Sequence, residues 1–291
     1  MSVRESTPPP GVRRLFSYAV EGTGPRSERP PHRGLPSSTL TLVVAADSPL
    51  LCSYSVEEWS RQEGIRHDVC IGGFHTQPVY LQRPDREEGV QVAVHPLAAR
   101  RLFGVPAAAL SELTHEGEDV LGSRIRSLHA RVASAHPRDR AGLVAEGLAS
   151  AAGRYDRVSG PRREVVGAWR LLENSGGRMR VTDVASEVGV TTRHLSTLCK
   201  AELGIGTKSL ADLLRFEAAH SALREAVRGA SGPRPAGIRL ADLAHDHGYA
   251  DHAHLDAAYR RYTGTSPTGW IAEEFRNIQA EVPTRGEDSP V

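Results

Sequence analysis

Side chains able to touch the bases and phosphates of a nucleic acid recur twice in this sequence at helical spacing. Thr192, Arg193, Ser196, Thr197 and Lys200 fall on one side of a helix, and Leu195, Leu198 and Cys199 fall on the other, because residues three and four apart share a face. A short, polar, partly basic face backed by an apolar stripe is what a helix lying in the DNA major groove presents. Arg193 can offer its planar fork to a guanine edge, and the hydroxyls of Ser196 and Thr197 can bond to any base. The second stretch turns His252, Ala253, Asp256 and Ala257 outward and Leu255, Ala258 and Tyr259 inward. Arg260 and Arg261 follow, and suit phosphates whatever the base sequence.

Each face needs a helix to carry it and a turn to aim it. In the first copy Val181, Val184, Ala185 and Val188 mark a short helix, Gly189 supplies the turn, and Thr191 or Thr192 caps the next helix. Leu240, Leu243 and Ala244, then Gly248, then the cap Asp251 repeat that logic. A helix over Ser209–Ala226, with Leu210, Leu213, Leu214 and Ala218 on one stripe, joins the copies. Two recognition helices entering the groove on one face of the duplex must sit roughly 34 Å apart. One copy alone reads equally well as a small packing unit with a solvated face; two copies joined by a helix favour DNA.

These residues resemble the DNA-binding domain of the AraC-type (AraC/XylS) transcription regulators. The likeness is carried by Ala185 to Gly189, His194-Leu195, Gly204, the joining helix and the run Gly248-Tyr249-Ala250-Asp251, His254-Leu255, Tyr259 to Pro267 and Trp270. Two departures stand out. The join Arg228 to Gly237 is long and rich in Pro and Gly, and Ala257 stands where the family commonly has Arg. Asp256 beside it would bring a carboxylate toward phosphates or accept from a cytosine amino group, so most base reading is expected from the first unit. Even there Thr197 replaces a frequent Arg.

Bulk composition neither announces nor forbids this role. The 36 Lys and Arg against 35 Asp and Glu leave a formal charge of +1, so phosphate attraction must come from local placement. All basic residues except Lys200 and Lys208 are Arg, which suits bidentate contacts. Cys52, Cys70 and Cys199 show no metal-ligand spacing and cannot all pair, which points to a reducing cytosol. The longest nearly apolar run, Leu40 to Ala46, is too short for a bilayer, so a cytoplasmic protein without membrane contact is expected.

Other chemistry finds little support. His75 and His95 read as hydrogen-bonded structural histidines, with no His-x-His beside either and Glu87-Glu88 in a loop. His245 with His247, and His252 with His254, lie two apart and point in different directions on a helix, so neither pair chelates; His254 reads as a structural hydrogen-bonding residue. No phosphate loop, dinucleotide glycine pattern or nucleophile triad is present. No catalytic residue, metal or cofactor is expected.

Taken in order, residues 1–36 read as a mostly mobile tail, with Leu15 to Tyr18 as a candidate edge strand. Residues 37–122 form a small mainly-β domain, with strands at Leu40–Val44, Val69–Ile71, Pro78–Leu81 and Gly89–Val94 and short helices at Leu97–Leu102 and Pro106–Leu113. Residues 123–174 are a helical connector, 175–278 the DNA-binding domain and 279–291 a tail. The fold class is α+β, with the β domain first, the connector next and an all-α C-terminal domain last. Gly72 to Pro78 and the phrase Val94 to Pro106 resemble, more loosely, the sensing domain of the same regulators. That resemblance implies an N-terminal domain that binds a small-molecule effector, forms a homodimer, or both, with RNA polymerase as a contact and double-stranded DNA as the target; the connector reads equally as part of the dimer contact or as an ordinary intramolecular helical layer. The competing class is an enzyme with its catalytic domain at residues 37–125 and a DNA-targeting C-terminal module.

Overall fold

The computed structural model describes residues 9–21, 32–82, 85–155, 159–228 and 239–280, with side chains of the last helix described to residue 273. Two antiparallel sheets fill the N-terminal part. One has five strands in the order β1 (Val12–Glu21), β8 (Arg86–Val94), β3 (Leu40–Ala45), β6 (Val69–Gly72) and β9 (Thr114–Glu116). The other has four, in the order β2 (His32–Gly34), β7 (Val79–Leu81), β4 (Leu50–Ser53) and β5 (Ile65–His67). Alternation along the strands explains why the central ones read as continuously apolar. Leu40, Leu42, Val44, Val69, Ile71, Val90, Val92 and Val94 point to one face, while Val43, Ala45 and Cys70 point to the other and meet Leu50, Cys52 and Val79 of the second sheet. The five-stranded sheet is thus buried on both sides.

Helices cover its outer face. α1 (Val56–Ser60) sits by β4 and β7, while α2 (Ala99–Phe103), α3 (Gly117–Leu121), α4 (Arg124–Ser134) and α5 (Pro137–Arg154) pack on the five-stranded sheet or each other. Leu102, Phe103, Val132, Val144 and Leu148 are the side chains they bury there, each stabilising the fold by about 1.5–3 kcal/mol relative to exposure. Arg140 of α5 reaches Glu88 of β8 at 2.7 Å, and Arg86 pairs with the same carboxylate. These two guanidinium groups hold the Glu88 carboxyl below its usual range.

The remaining helices are α6 (Arg163–Asn174), α7 (Val181–Glu187), α8 (Thr192–Leu203), α9 (Thr207–Arg228), α10 (Leu240–Asp246), α11 (His252–Thr263) and α12 (Pro267–Ala280). α6 packs on α7, α8 and α9. Its Trp169 also lies 4.6 Å from the His95 ring and 6.0 Å from Phe74, so this helix joins the β domain to the helical one. Among the described residues, no helix is long and apolar enough to cross a membrane.

The fold class matches the expected α+β arrangement, with several local differences. Where the sequence offered only Leu15 to Tyr18 as an edge strand inside a tail, a ten-residue strand runs from Val12 to Glu21 and pairs with the whole of β8. Its Arg13, Arg14 and Glu21 disguised it, and charges on an edge strand guard it against pairing with other chains. Glu87 and Glu88 lie in β8 rather than a loop. The expected helix over Pro106–Leu113 is a single 3-10 turn at Ala107–Ala109. It stops because the chain must pass Gly73, whose N–H donates to the Leu113 carbonyl, and enter β9. Strands β2, β4, β5 and β9 have three or four residues each and were not anticipated. The join after Arg228 lies outside the described residues.

Candidate nucleic-acid interface

In the first unit the Thr191 hydroxyl accepts the His194 N–H at 3.2 Å and so starts α8; a side-chain oxygen here satisfies one of the free N–H groups at a helix start. In the second, Asp251 Oδ1 accepts the His254 N–H at 2.8 Å, and the His254 ring accepts the Ala250 N–H at 3.3 Å. The turns before these caps pass through Gly189 at φ 75° and Gly248 at φ 74°, the left-handed region that a Cβ disfavours. α8 and α11 both end on a left-handed glycine, Gly204 and Gly264.

The two helices share four buried positions at one constant interval, and α8 buries Leu198 besides. Leu195, Cys199, Glu202 and Leu203 are buried on α8; Leu255, Tyr259, Tyr262 and Thr263 are buried on α11. Facing outward on α8 are Thr192, Arg193, Thr197 and Lys200, with Ser196 half-buried. Thr197 donates its hydroxyl to the Arg193 carbonyl at 3.1 Å. Arg193 and Lys200 carry no ion pair among the described residues. On α11 His252, Ala253, Ala257, Arg260 and Arg261 face outward. Asp256 is half-buried, and its carboxylate lies 2.7 Å from Arg260 one turn on, so it neutralises a neighbour in its own helix instead of projecting a free negative charge. The Arg261 guanidinium sits 5.2 Å from the Tyr262 ring centre.

Behind α11, α9 supplies an aromatic bed. Phe216 stacks on Tyr262 at 4.6 Å and meets Tyr259 edge-on at 5.3 Å, while His220 lies edge-on to Trp270 at 4.5 Å. Such pairs contribute about 0.5–1.5 kcal/mol beyond burial. Burial, with Arg224's charge adding to it, pushes His220 down to about 4. Burial likewise pushes His95 down to about 4, aided by Arg13 and opposed by Glu173. His95 accepts the Leu97 N–H at 3.1 Å, whereas the Nδ1 of His75 is buried without a partner.

Both rings stay neutral in the fold, while the unfolded chain takes up protons below about pH 6.5. Stability is therefore lost as pH falls from about 6.5 to about 4, by about 2 kcal/mol for His220 between pH 7 and pH 5 and by less for His95, whose partial exposure lets water screen its charge. Urea unfolding of the full chain near these two pH values measures this drop. His220→Phe, which keeps a ring beside Phe216 and Trp270, should reduce the drop by about 2 kcal/mol; an unchanged drop would mean that His220 is not one of the groups responsible.

The β domain holds both units from behind. Arg100, on α2, grips Glu202 of α8 through two hydrogen bonds of 2.7 and 3.1 Å, and α8 packs on the Ala107–Ala109 turn. The Ser38 N–H donates to Glu217 of α9 at 3.3 Å, and Arg33 pairs with Glu273 of α12. Gly264, at the end of α11, lies against the Tyr80 hydroxyl. Arg100 also lines a cleft of about 700 Å³, together with Arg13, His95, Arg101, Trp169 and Arg170. Sequence reasoning missed Arg100 and Glu202, since nothing local links two residues so far apart.

Residues 184–273 match a family model described as a helix-turn-helix domain. No curated protein sequence matches the chain. Similar solved structures include ToxT from Vibrio cholerae O395, at 8% identity over 89% of this chain and 97% of that one, with a TM-score of 0.48. The C-terminal domain of AraT, a response regulator from Geobacillus stearothermophilus, is similar at 22% identity over 40% of this chain and 88% of that one, TM-score 0.33. The transcriptional regulator CdpR from Pseudomonas aeruginosa is similar at 17% identity over 63% and 45%, TM-score 0.32. The matched span opens within α7 and runs into α12, so it takes in both capped helices, and it identifies this part of the chain as a helix-turn-helix domain.

Proposed function

We propose that the chain regulates transcription by laying α8 and α11 in successive major grooves on one face of duplex DNA, under the control of its N-terminal domain. The observation that carries this is the repeat of one burial pattern on two helices, each leaving a polar face open beside its capped start. Residues near the start of a recognition helix meet base edges; here these are Thr192, Arg193, Ser196 and Thr197. Lys200, Arg260 and Arg261 are assigned to phosphates. His252 and Ala253 occupy the matching place on α11, but with Asp256 bound to Arg260 this helix has little to read with, so the first unit does most of the discrimination.

Control by the N-terminal domain is supported by Arg100, which faces the cleft and grips the first recognition helix at once. Arg101 and Arg170 in the same cleft carry no ion pair among the described residues. A small anionic effector is the class of ligand this lining favours, and by drawing Arg100 from Glu202 it would loosen α8.

Full-length protein incubated with random duplexes should select one recurrent motif. Its affinity should fall with rising salt at a log–log slope of about −3 or steeper, since each neutralised phosphate contributes about −0.9. Arg261→Gln should flatten the slope by about one unit. Salt-independent binding, or no enriched motif, would sink the proposal.

A further inference from the structure

We infer that Cys52, His67 and Cys70 form a buried binding site for a thiophilic divalent metal ion of the zinc class, set between the two sheets. Cys52 on β4 and His67 at the end of β5 belong to the four-stranded sheet, and Cys70 on β6 belongs to the five-stranded one. Their sulfur and ring-nitrogen atoms all lie within 4.8 Å of one another, and all three residues are buried. Around tetrahedral zinc, with bonds of about 2.3 Å to sulfur and about 2.0 Å to nitrogen, ligand atoms stand roughly 3.5–3.8 Å apart. Closing the trio onto an ion needs at most about one ångström of movement.

The fold leaves these side chains no other place. Val69 and Ile71 turn toward the helices, so Cys70 between them must enter the space between the sheets, where Cys52 and the apolar Val43, Ala45, Leu50 and Val79 meet it. Charge then favours one class of ion. Two thiolates and a neutral imidazole cancel a divalent charge, and the loaded site brings no net charge into apolar surroundings. Soft sulfur donors select against magnesium and calcium, which require oxygen.

The imidazole is already aimed. His67 Nδ1 lies 3.1 Å from Glu116 Oε2 and its Nε2 lies 3.0 Å from Thr114 Oγ1, which also bonds the Tyr54 hydroxyl at 2.6 Å. Whichever ring nitrogen takes the ion, the other keeps an oriented partner, the arrangement that fixes metal-binding histidines elsewhere. Glu116 is half-exposed and its carboxylate orients the His67 ring, which leaves the fourth position to a neutral water and keeps the loaded site uncharged. The spacing His67-x-x-Cys70, with Cys52 further upstream, is a signal that counting cysteines alone passes over.

The test uses the full chain, purified under reductant, stripped with a chelator and titrated with cobalt(II), whose spectrum reports its ligands. One equivalent should bind with a thiolate charge-transfer band and tetrahedral absorption, and zinc(II) should displace it and raise the melting temperature. Cys52→Ala and Cys70→Ala should each lose about half the band, whereas Cys199→Ala, in α8, should keep it. If the two Ala variants fail to fold, the band intensity of the parent chain still counts its thiolate ligands, and two are expected. The inference is overturned by a chain that takes up no ion under reductant, by a cobalt spectrum without thiolate bands, or by a band that survives both replacements.

Discussion

Arg100→Ala lowers the unfolding free energy of the full chain by about 3 kcal/mol. Glu202 keeps 5% of its surface exposed, and removing its partner leaves a carboxylate buried without compensation, a loss of about 3–5 kcal/mol for an enclosed pair. The low end applies because Arg100 keeps 29% of its side chain in contact with water. Arg100→Met combined with Glu202→Met should recover most of the loss, since an apolar pair of similar volume replaces a buried ion pair at little cost. Urea unfolding of the three proteins measures both effects. A single variant within about 0.5 kcal/mol of the parent would place it among inconsequential surface changes and remove the proposed grip of the β domain on α8.

Arg193→Ala loses about 1–3 kcal/mol on the preferred DNA sequence and relaxes the selected motif at one or two base pairs, the signature of a lost guanine contact. Arg261→Gln should instead weaken binding to all sequences alike. Arg260→Gln should do so less, because Asp256 already neutralises that guanidinium. Repeating the selection with Arg193→Ala separates the outcomes: an unchanged motif would mean that bases are read by another face of α8.

Helices α8 and α11 were legible because everything that shapes them is local. Leu195 and Cys199, or Leu255 and Tyr259, set a face by their spacing; Thr191 and Asp251 cap it and Gly204 and Gly264 end it, all within one turn of the residues they act on. Strands β3, β6, β7 and β8 were legible for a similar reason, since β-branched runs such as Val90, Val92 and Val94 carry their own signal. β5, with Ile65, Arg66 and His67, and β9, with Thr114, His115 and Glu116, have no apolar run to announce them. They exist because Leu50 pairs with His67 and Cys70 with Glu116. The trio of Cys52, His67 and Cys70 was hidden further still, for it depends on how two sheets face each other. Spacing alone predicts a projecting charge at Asp256, because it sets the face of the helix and not the pairing with Arg260 one turn on.

The β domain touches α8 through Arg100 and the Ala107–Ala109 turn, and touches the end of α11 through Tyr80. It therefore acts as a jig for the pair, fixing their separation from outside the DNA-binding domain, and the two halves of this chain are not interchangeable parts. Grafting residues 175–278 onto a foreign N-terminal domain would discard the partners of Glu202, Glu217 and Glu273 together, leaving α9 alone to keep α8 and α11 in step. In the intact chain, replacements at Arg33, Ser38 or Tyr80 would shift α8 and α11 relative to each other without altering a single residue on either outward face.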